Sequence, residues 1–212
     1  MSPPTLRLFL VRHGETPGNR EMRYLGTRDE PLSPLGVEQA DLLAAALAPL
    51  PLGAVYASPL RRTADTARPI AAARGLAVHV EPRLREQAFG AWEGLTRAEV
   101  LAAGGGDALQ GWEADLGSAP PGGESLQAVQ ERVLSLVHDL ASAHGGRQIA
   151  LVSHVGPIKA LLCAALGVPL AVARRFFLDP ATVSVVDWDE RPVVRLVNAH
   201  GHLGWEAARW ML

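Results

Sequence analysis

At 212 residues, 48% of them hydrophobic and 20% charged, the chain has the length and composition of one folded domain, which excludes wholesale disorder. Its 20 basic and 22 acidic residues give a net charge of −2, so no strong field draws it to nucleic acid or an anionic membrane. A single cysteine, Cys163, excludes an internal disulfide and cysteine-rich zinc sites.

Leu6–Val11, apolar except for Arg7, reads as a buried strand and is too short for a signal-peptide core. Ser33-Pro34 combines an N-cap with proline at the first helical position and opens a helix to about Leu47. Gly53–Ala57 is a second strand. Ser58-Pro59 repeats the cap–proline signal and predicts a helix through Ala72, followed by a third strand at Ala77–Val80. Residues 83–123 form a polar, glycine-rich excursion with short helical stretches near Thr96–Ala103 and Ala108–Leu116. Ser125–Ala143 carries the longest helical pattern, Gln148–Val152 a fourth strand, and a further helix begins near Pro157. Thr182–Trp188 and Val193–Val197 flank a turn and read as a hairpin. Strands alternating with helices predict an α/β fold: a three-layer α/β/α sandwich, its sheet mainly parallel with an antiparallel edge. The expectation is one domain over 1–212, cytoplasmic, with no stretch able to span a bilayer.

In such sheets ligands bind beyond the carboxyl ends of the strands. Arg12-His13-Gly14-Glu15-Thr16 follows the first strand and Ser153-His154-Val155-Gly156 the fourth, and both stretches continue a Leu-Val strand end into a histidine. The helix after the second strand carries Arg61 and Arg62 at its start. Two histidines and at least two arginines on one rim suit a phosphate, because the planar arginine fork matches its oxygens and free helix-start amides add to an anion site. His79, His138 and His144 read as surface or core residues. His200 and His202 are spaced like a metal pair without a third ligand, so no metal is expected. Other phosphate chemistries fail on the letters. Cys163 has Pro169 where a thiol phosphatase needs arginine, and Asp187-Trp188-Asp189 is followed by Arg191 where a phosphoaspartate motif needs threonine or valine. No glycine-rich loop leads to Lys159, the only lysine in the chain. Histidine is left as the nucleophile.

Arg12-His13-Gly14-Glu15-Thr16 resembles the signature of the histidine phosphatase superfamily, the phosphoglycerate mutase-like proteins. The resemblance runs on through Asn19, Asp29-Glu30-Pro31-Leu32-Ser33 with Gly36, Ser58-Pro59-Leu60-Arg61-Arg62-Thr63 with Thr66-Ala67, and Leu84-Arg85-Glu86 with Phe89-Gly90 and Trp92-Glu93-Gly94. Pro121-Gly122-Gly123-Glu124-Ser125 and Ser153-His154-Val155-Gly156 complete it. It implies that His13 attacks phosphorus, that Arg12, Arg62 and His154 hold the phosphoryl oxygens, and that Glu86 is the general acid. The choice of Glu86 over Glu15, Glu81 or Glu93 rests on the resemblance. The same resemblance implies substrate contacts at Arg12, Gly14, Asn19, Thr27, Arg62 and Val155, residues 83–123 as a cap over the site, no cofactor, and a small phosphorylated metabolite as substrate. A homodimer is left open.

Two positions depart from the pattern: Val155 replaces a glycine, and Thr63 stands where alanine or cysteine is usual. The mutase branch continues its acid-bearing loop with Arg-His-Tyr-Gly, whereas Glu86 is followed by Gln87-Ala88-Phe89-Gly90. The expected function is therefore phosphomonoester hydrolysis through a phosphohistidine. A cofactor-dependent phosphoglycerate mutase is the first alternative, and an inactive scaffold that binds phosphorylated ligands is the second.

Overall fold

The computed structural model describes residues 5–204. Six strands form one sheet: β1 (Leu6–Arg12), β2 (Leu52–Ala57), β3 (Val78–Val80), β4 (Gln148–Ser153), β5 (Val183–Trp188) and β6 (Val193–Ala199). Their order is β3-β2-β4-β1-β5-β6. β1, β2, β3 and β4 are mutually parallel, while β5 runs antiparallel to both β1 and β6. The α/β expectation with an antiparallel edge therefore holds.

Period-two alternation along β1 builds both layers of the core. Leu6, Leu8 and Leu10 pack with Val133, Leu136 and Leu161, which belong to α6 (Leu126–His144) and α7 (Val155–Leu166). Phe9 and Val11 pack on the other face with Leu43 and Ile70, from α2 (Pro34–Leu47) and α3 (Arg61–Ala72). Each fully buried leucine of this kind contributes roughly 1.5–3 kcal/mol by leaving water. No described helix is long and apolar enough to cross a membrane.

The helix starts differ from expectation in two places. At α2 the Ser33 hydroxyl accepts from the Gly36 amide at 3.1 Å with Pro34 at the first position, as predicted. At α3 the N-cap is Leu60 rather than Ser58. Ser58 is fully buried and its hydroxyl lies 2.9 Å from His154 Nε2, so that side chain serves the rim of the sheet instead of a helix end. α7 begins at Val155, two residues before Pro157, which brings the Val155 and Gly156 amides to that rim. A one-turn helix, α1 (Pro17–Arg20), had no apolar period to reveal it; a capping box between Thr16 and Asn19 holds it.

Residues 83–123 contain α4 (Arg97–Ala102) and α5 (Gly106–Ala114). They carry a satellite core of Trp92, Val100 and Leu109, packed with Tyr24, Phe89 and Trp112. Arg23 bridges Thr96, and Tyr24 exchanges backbone hydrogen bonds with Leu95 and Gly94, which tie the excursion to the segment after β1.

Candidate active site

Strand register explains how residues far apart in sequence meet. Arg12 lies opposite Ser153 in the β1–β4 pair, and Ala57 lies opposite Val152 in the β2–β4 pair. One residue further on, His13, His154 and Ser58 emerge side by side. The His13 and His154 rings lie 5.1 Å apart, centroid to centroid, in an edge-on arrangement.

Hydrogen bonding sets the tautomer of each ring. His13 Nδ1 lies 2.7 Å from the Gly14 carbonyl oxygen, which can only accept, so Nδ1 carries the proton and Nε2 keeps its lone pair. His154 Nδ1 accepts from Arg62 Nε at 3.2 Å, which leaves Nε2 as donor to Ser58. Both imidazoles are buried, and burial first and the Arg62 charge second hold them well below the ordinary value of 6.5. They are therefore neutral where an ordinary histidine is half charged.

This has a consequence for pH. A histidine with a lowered folded pKa contributes stability above 6.5 and loses it as pH falls, because only the unfolded chain takes up the proton. The slope is up to about 1.4 kcal/mol per pH unit for each ring. Thermal melts between pH 7 and pH 5 should show falling stability, with a shallower fall in His154→Asn. The rate profile of kcat/KM should show no loss of a nucleophile near 6.5. An acid limb centred there would contradict the neutral assignment.

Arg62 is almost wholly buried. Besides His154, its guanidinium donates to the Arg28 and Gly26 carbonyls at 2.6 and 2.7 Å, which locks its plane and leaves its remaining N–H groups for a ligand. Arg12 is anchored by donating to the Leu178 carbonyl. Glu86 is held from three sides. Its Oε1 accepts from the Gln87 and Gly156 amides at 2.9 and 3.0 Å, and its carbonyl accepts from Arg132, which is paired with Glu124. A Cβ on Gly156 would stand 2.5 Å from Glu86 Oε1, so only glycine permits this approach.

These groups border one cavity of about 150 Å³, lined by Arg12, His13, Asn19, Arg62, Glu86 and Val155 together with Arg23, Tyr24, Leu25, Gly26 and Phe89. His154 sits behind His13, against Ser58 and Arg62. Two of the expected contact residues, Gly14 and Thr27, are not among those that line this cavity. Gly14 packs on the backbone of Gly36, and Thr27 bonds to the Glu93 carboxylate through its amide and hydroxyl. Glu15, the rival acid, accepts from Arg20 and Ser33 and does not reach the cavity. Glu81 caps the turn at Pro82–Leu84 and pairs with Arg83. His200 Nδ1 and His202 Nε2 lie against the Asn198 and Ala181 carbonyls. Sequence reasoning missed the roles of Gly156, Gln87 and Ser58. Gly156 had a signal, since it stands in the stretch after the second histidine.

Two neutral histidines and two anchored arginines around a carboxylate, at the carboxyl rim of a mainly parallel sheet, define an enzyme of phosphoryl transfer. The comparisons agree. Residues 8–200 match the model of the histidine phosphatase superfamily (branch 1), and the chain belongs to that family, as a phosphomonoesterase. It is 38% identical over 200 residues to phosphoserine phosphatase 1 of Hydrogenobacter thermophilus, covering 94% of this chain and 95% of that one. It is 34% identical to a probable phosphoglycerate mutase of Enterobacter, covering 98% and 91%. A mycobacterial glucosyl-3-phosphoglycerate phosphatase solved with VO3 superposes with a TM-score of 0.84 at 35% identity, covering 92% of this chain and 99% of that one.

Proposed function

We propose that the enzyme passes the phosphoryl group of a small metabolite through His13 to water. The observation that carries this reading is the His13–Gly14 contact, which presents an unprotonated Nε2 beside Arg12, Arg62 and Glu86. In the first step Nε2 bonds to phosphorus, the ester P–O bond breaks, and Glu86 gives its proton to the leaving oxygen. In the second, water loses a proton to Glu86 and attacks phosphorus, and the P–N bond breaks. Arg12 and Arg62 stabilise the equatorial oxygens in both transition states. His154 supports this by fixing Arg62 and by its position behind His13. Asn19 and Val155 line the substrate side of the cavity. Residues 83–123 act as the cap, since Glu86 and Phe89 supply its wall over the phosphoryl group.

The substrate is a phosphorylated metabolite, a reading supported by relatives named for phosphoserine and glucosyl-3-phosphoglycerate. We place the enzyme in the cytoplasm, where such metabolites are held. The assembly we favour is a homodimer, supported by the apolar Val193, Leu196 and Val197 that edge strand β6 leaves exposed.

The relative named as a mutase raises the other reading. A mutase must keep its bisphosphorylated intermediate from water until it reorients, which takes extra cations and a closed site. The loop after Glu86 offers Gln87, Ala88 and Phe89 instead. Purified enzyme given a phosphoglycerate should release phosphate without interconverting the isomers. Isomer exchange outpacing phosphate release, with or without a bisphosphoglycerate primer, would establish the mutase. Absence of any turnover of an aryl phosphate would favour the scaffold.

A further inference from the structure

Beside the phosphoryl cavity lies a second of about 180 Å³, and the two share Glu86, Phe89 and Val155 as a common wall. A leaving oxygen protonated by Glu86 belongs to a group that must occupy space Glu86 borders. The second cavity is such a space. Its walls are largely apolar, with Trp112, Leu126 and Ala173 among them, and two cations reach it, Lys159 and Arg174.

Arg174 is already engaged. It donates to the Trp112 and Glu113 carbonyls and lies over the Trp112 ring, fastening α5 to the turn after α7. Lys159 is not. Among the described residues its ammonium pairs with no carboxylate, and its contact is the Phe176 ring, 5.3 Å away. It stands on α7 four and three residues after Val155 and Gly156, so it rises from the face that holds Glu86. Burial and the Arg12 charge pull this ammonium below the usual lysine value, and Glu86 opposes them. The cavity thus holds a half-buried cation that makes no direct ion pair among the described residues, with Glu86 on the shared wall.

We propose that Lys159 is a specificity-determining residue that pairs with a carboxylate on the leaving group, so that phosphorylated hydroxy acids are preferred to phosphorylated neutral alcohols. This rests on the phosphatase reading above and deepens it. One ammonium balances one carboxylate. A second phosphomonoester would bring charge that the apolar walls leave uncompensated, which is costly. The apolar walls also exclude water from the pair, which strengthens it relative to a surface pair.

The test compares 3-phosphoglycerate with glycerol 3-phosphate, which differ in a carboxylate against a hydroxymethyl group. The natural enzyme should favour the acid in kcat/KM by about tenfold or more, mainly through KM. Lys159→Met should bring the ratio close to one, and Lys159→Arg should restore most of it. A measurement that needs no variant is product inhibition, in which free glycerate should inhibit at least about tenfold more strongly than glycerol. Absence of discrimination by the natural enzyme overturns the proposal. So does an equal loss on both substrates in Lys159→Met, which would mean that the lysine acts through Glu86. A preference for 2,3-bisphosphoglycerate over 3-phosphoglycerate overturns it in favour of a phosphate-reading pocket. Failure to hydrolyse either substrate or an aryl phosphate would instead defeat the phosphatase reading itself, and with it this one.

Discussion

His13→Ala is expected to lower kcat by about four orders of magnitude or more, because it removes the atom that takes the phosphoryl group in the proposed mechanism. The fold should survive the change. His13 sits at the end of β1, its backbone amide bonds to the Ser153 carbonyl, and its own carbonyl accepts from Ala181, so the strand end stays fixed without the ring. What is lost is the Nε2 lone pair, which the Nδ1 contact with Gly14 had aimed at the cavity. Neutral His154 does not replace it, because Arg62 and Ser58 engage both of its nitrogens. Rapid quenching with labelled substrate should trap a phosphoenzyme that is stable to alkali and labile to acid in the natural protein. It should trap none in the variant. Label retained undiminished in His13→Ala would move the nucleophile to another residue.

Much of this site was legible in the sequence because it depends on strand ends, and strand ends carry strong local signals. The Leu-Val runs before His13 and His154 identify two parallel strands, and register does the rest. The helix capped by Ser33 was equally plain, since side chain and proline act within one turn. The errors came where a side chain answers to something distant. Ser58 has the chemistry of an N-cap, yet its partner is His154, 96 residues away, and the helix starts two residues later than the cap rule suggests. Thr27 likewise bonds to Glu93, 66 residues on, a contact that no local signal reports. The significance of Lys159 was illegible for the same reason: the cavity it enters is closed by Phe89 and Trp112 from the excursion, and no periodicity in α7 reports on that.

Glu86→Gln is expected to separate substrates by the basicity of their leaving group. The geometry favours Glu86 as the acid over its rivals, since Glu15 is tied to Arg20 and Ser33, Glu93 to Thr27, and Glu81 to Arg83. Only Glu86 among these lines the cavity beside His13. An alkoxide leaves poorly without a proton, so loss of the acid should slow an alkyl phosphate by about 10²–10⁴-fold. A nitrophenolate leaves well unaided, and an aryl phosphate should lose far less in its first step. Glutamine keeps the shape and can accept from the Gln87 and Gly156 amides as the carboxylate does, so the loop should stay in place and the change should report on the proton alone. The dephosphorylation step supplies an internal control. In the proposed mechanism Glu86 is also the base toward water there, so in Glu86→Gln an aryl phosphate should give a burst of phenol equal to the enzyme present, followed by a slow steady rate. Equal losses on both substrates without a burst would show that Glu86 positions groups rather than moving protons, and the leaving oxygen would then have to take its proton from water.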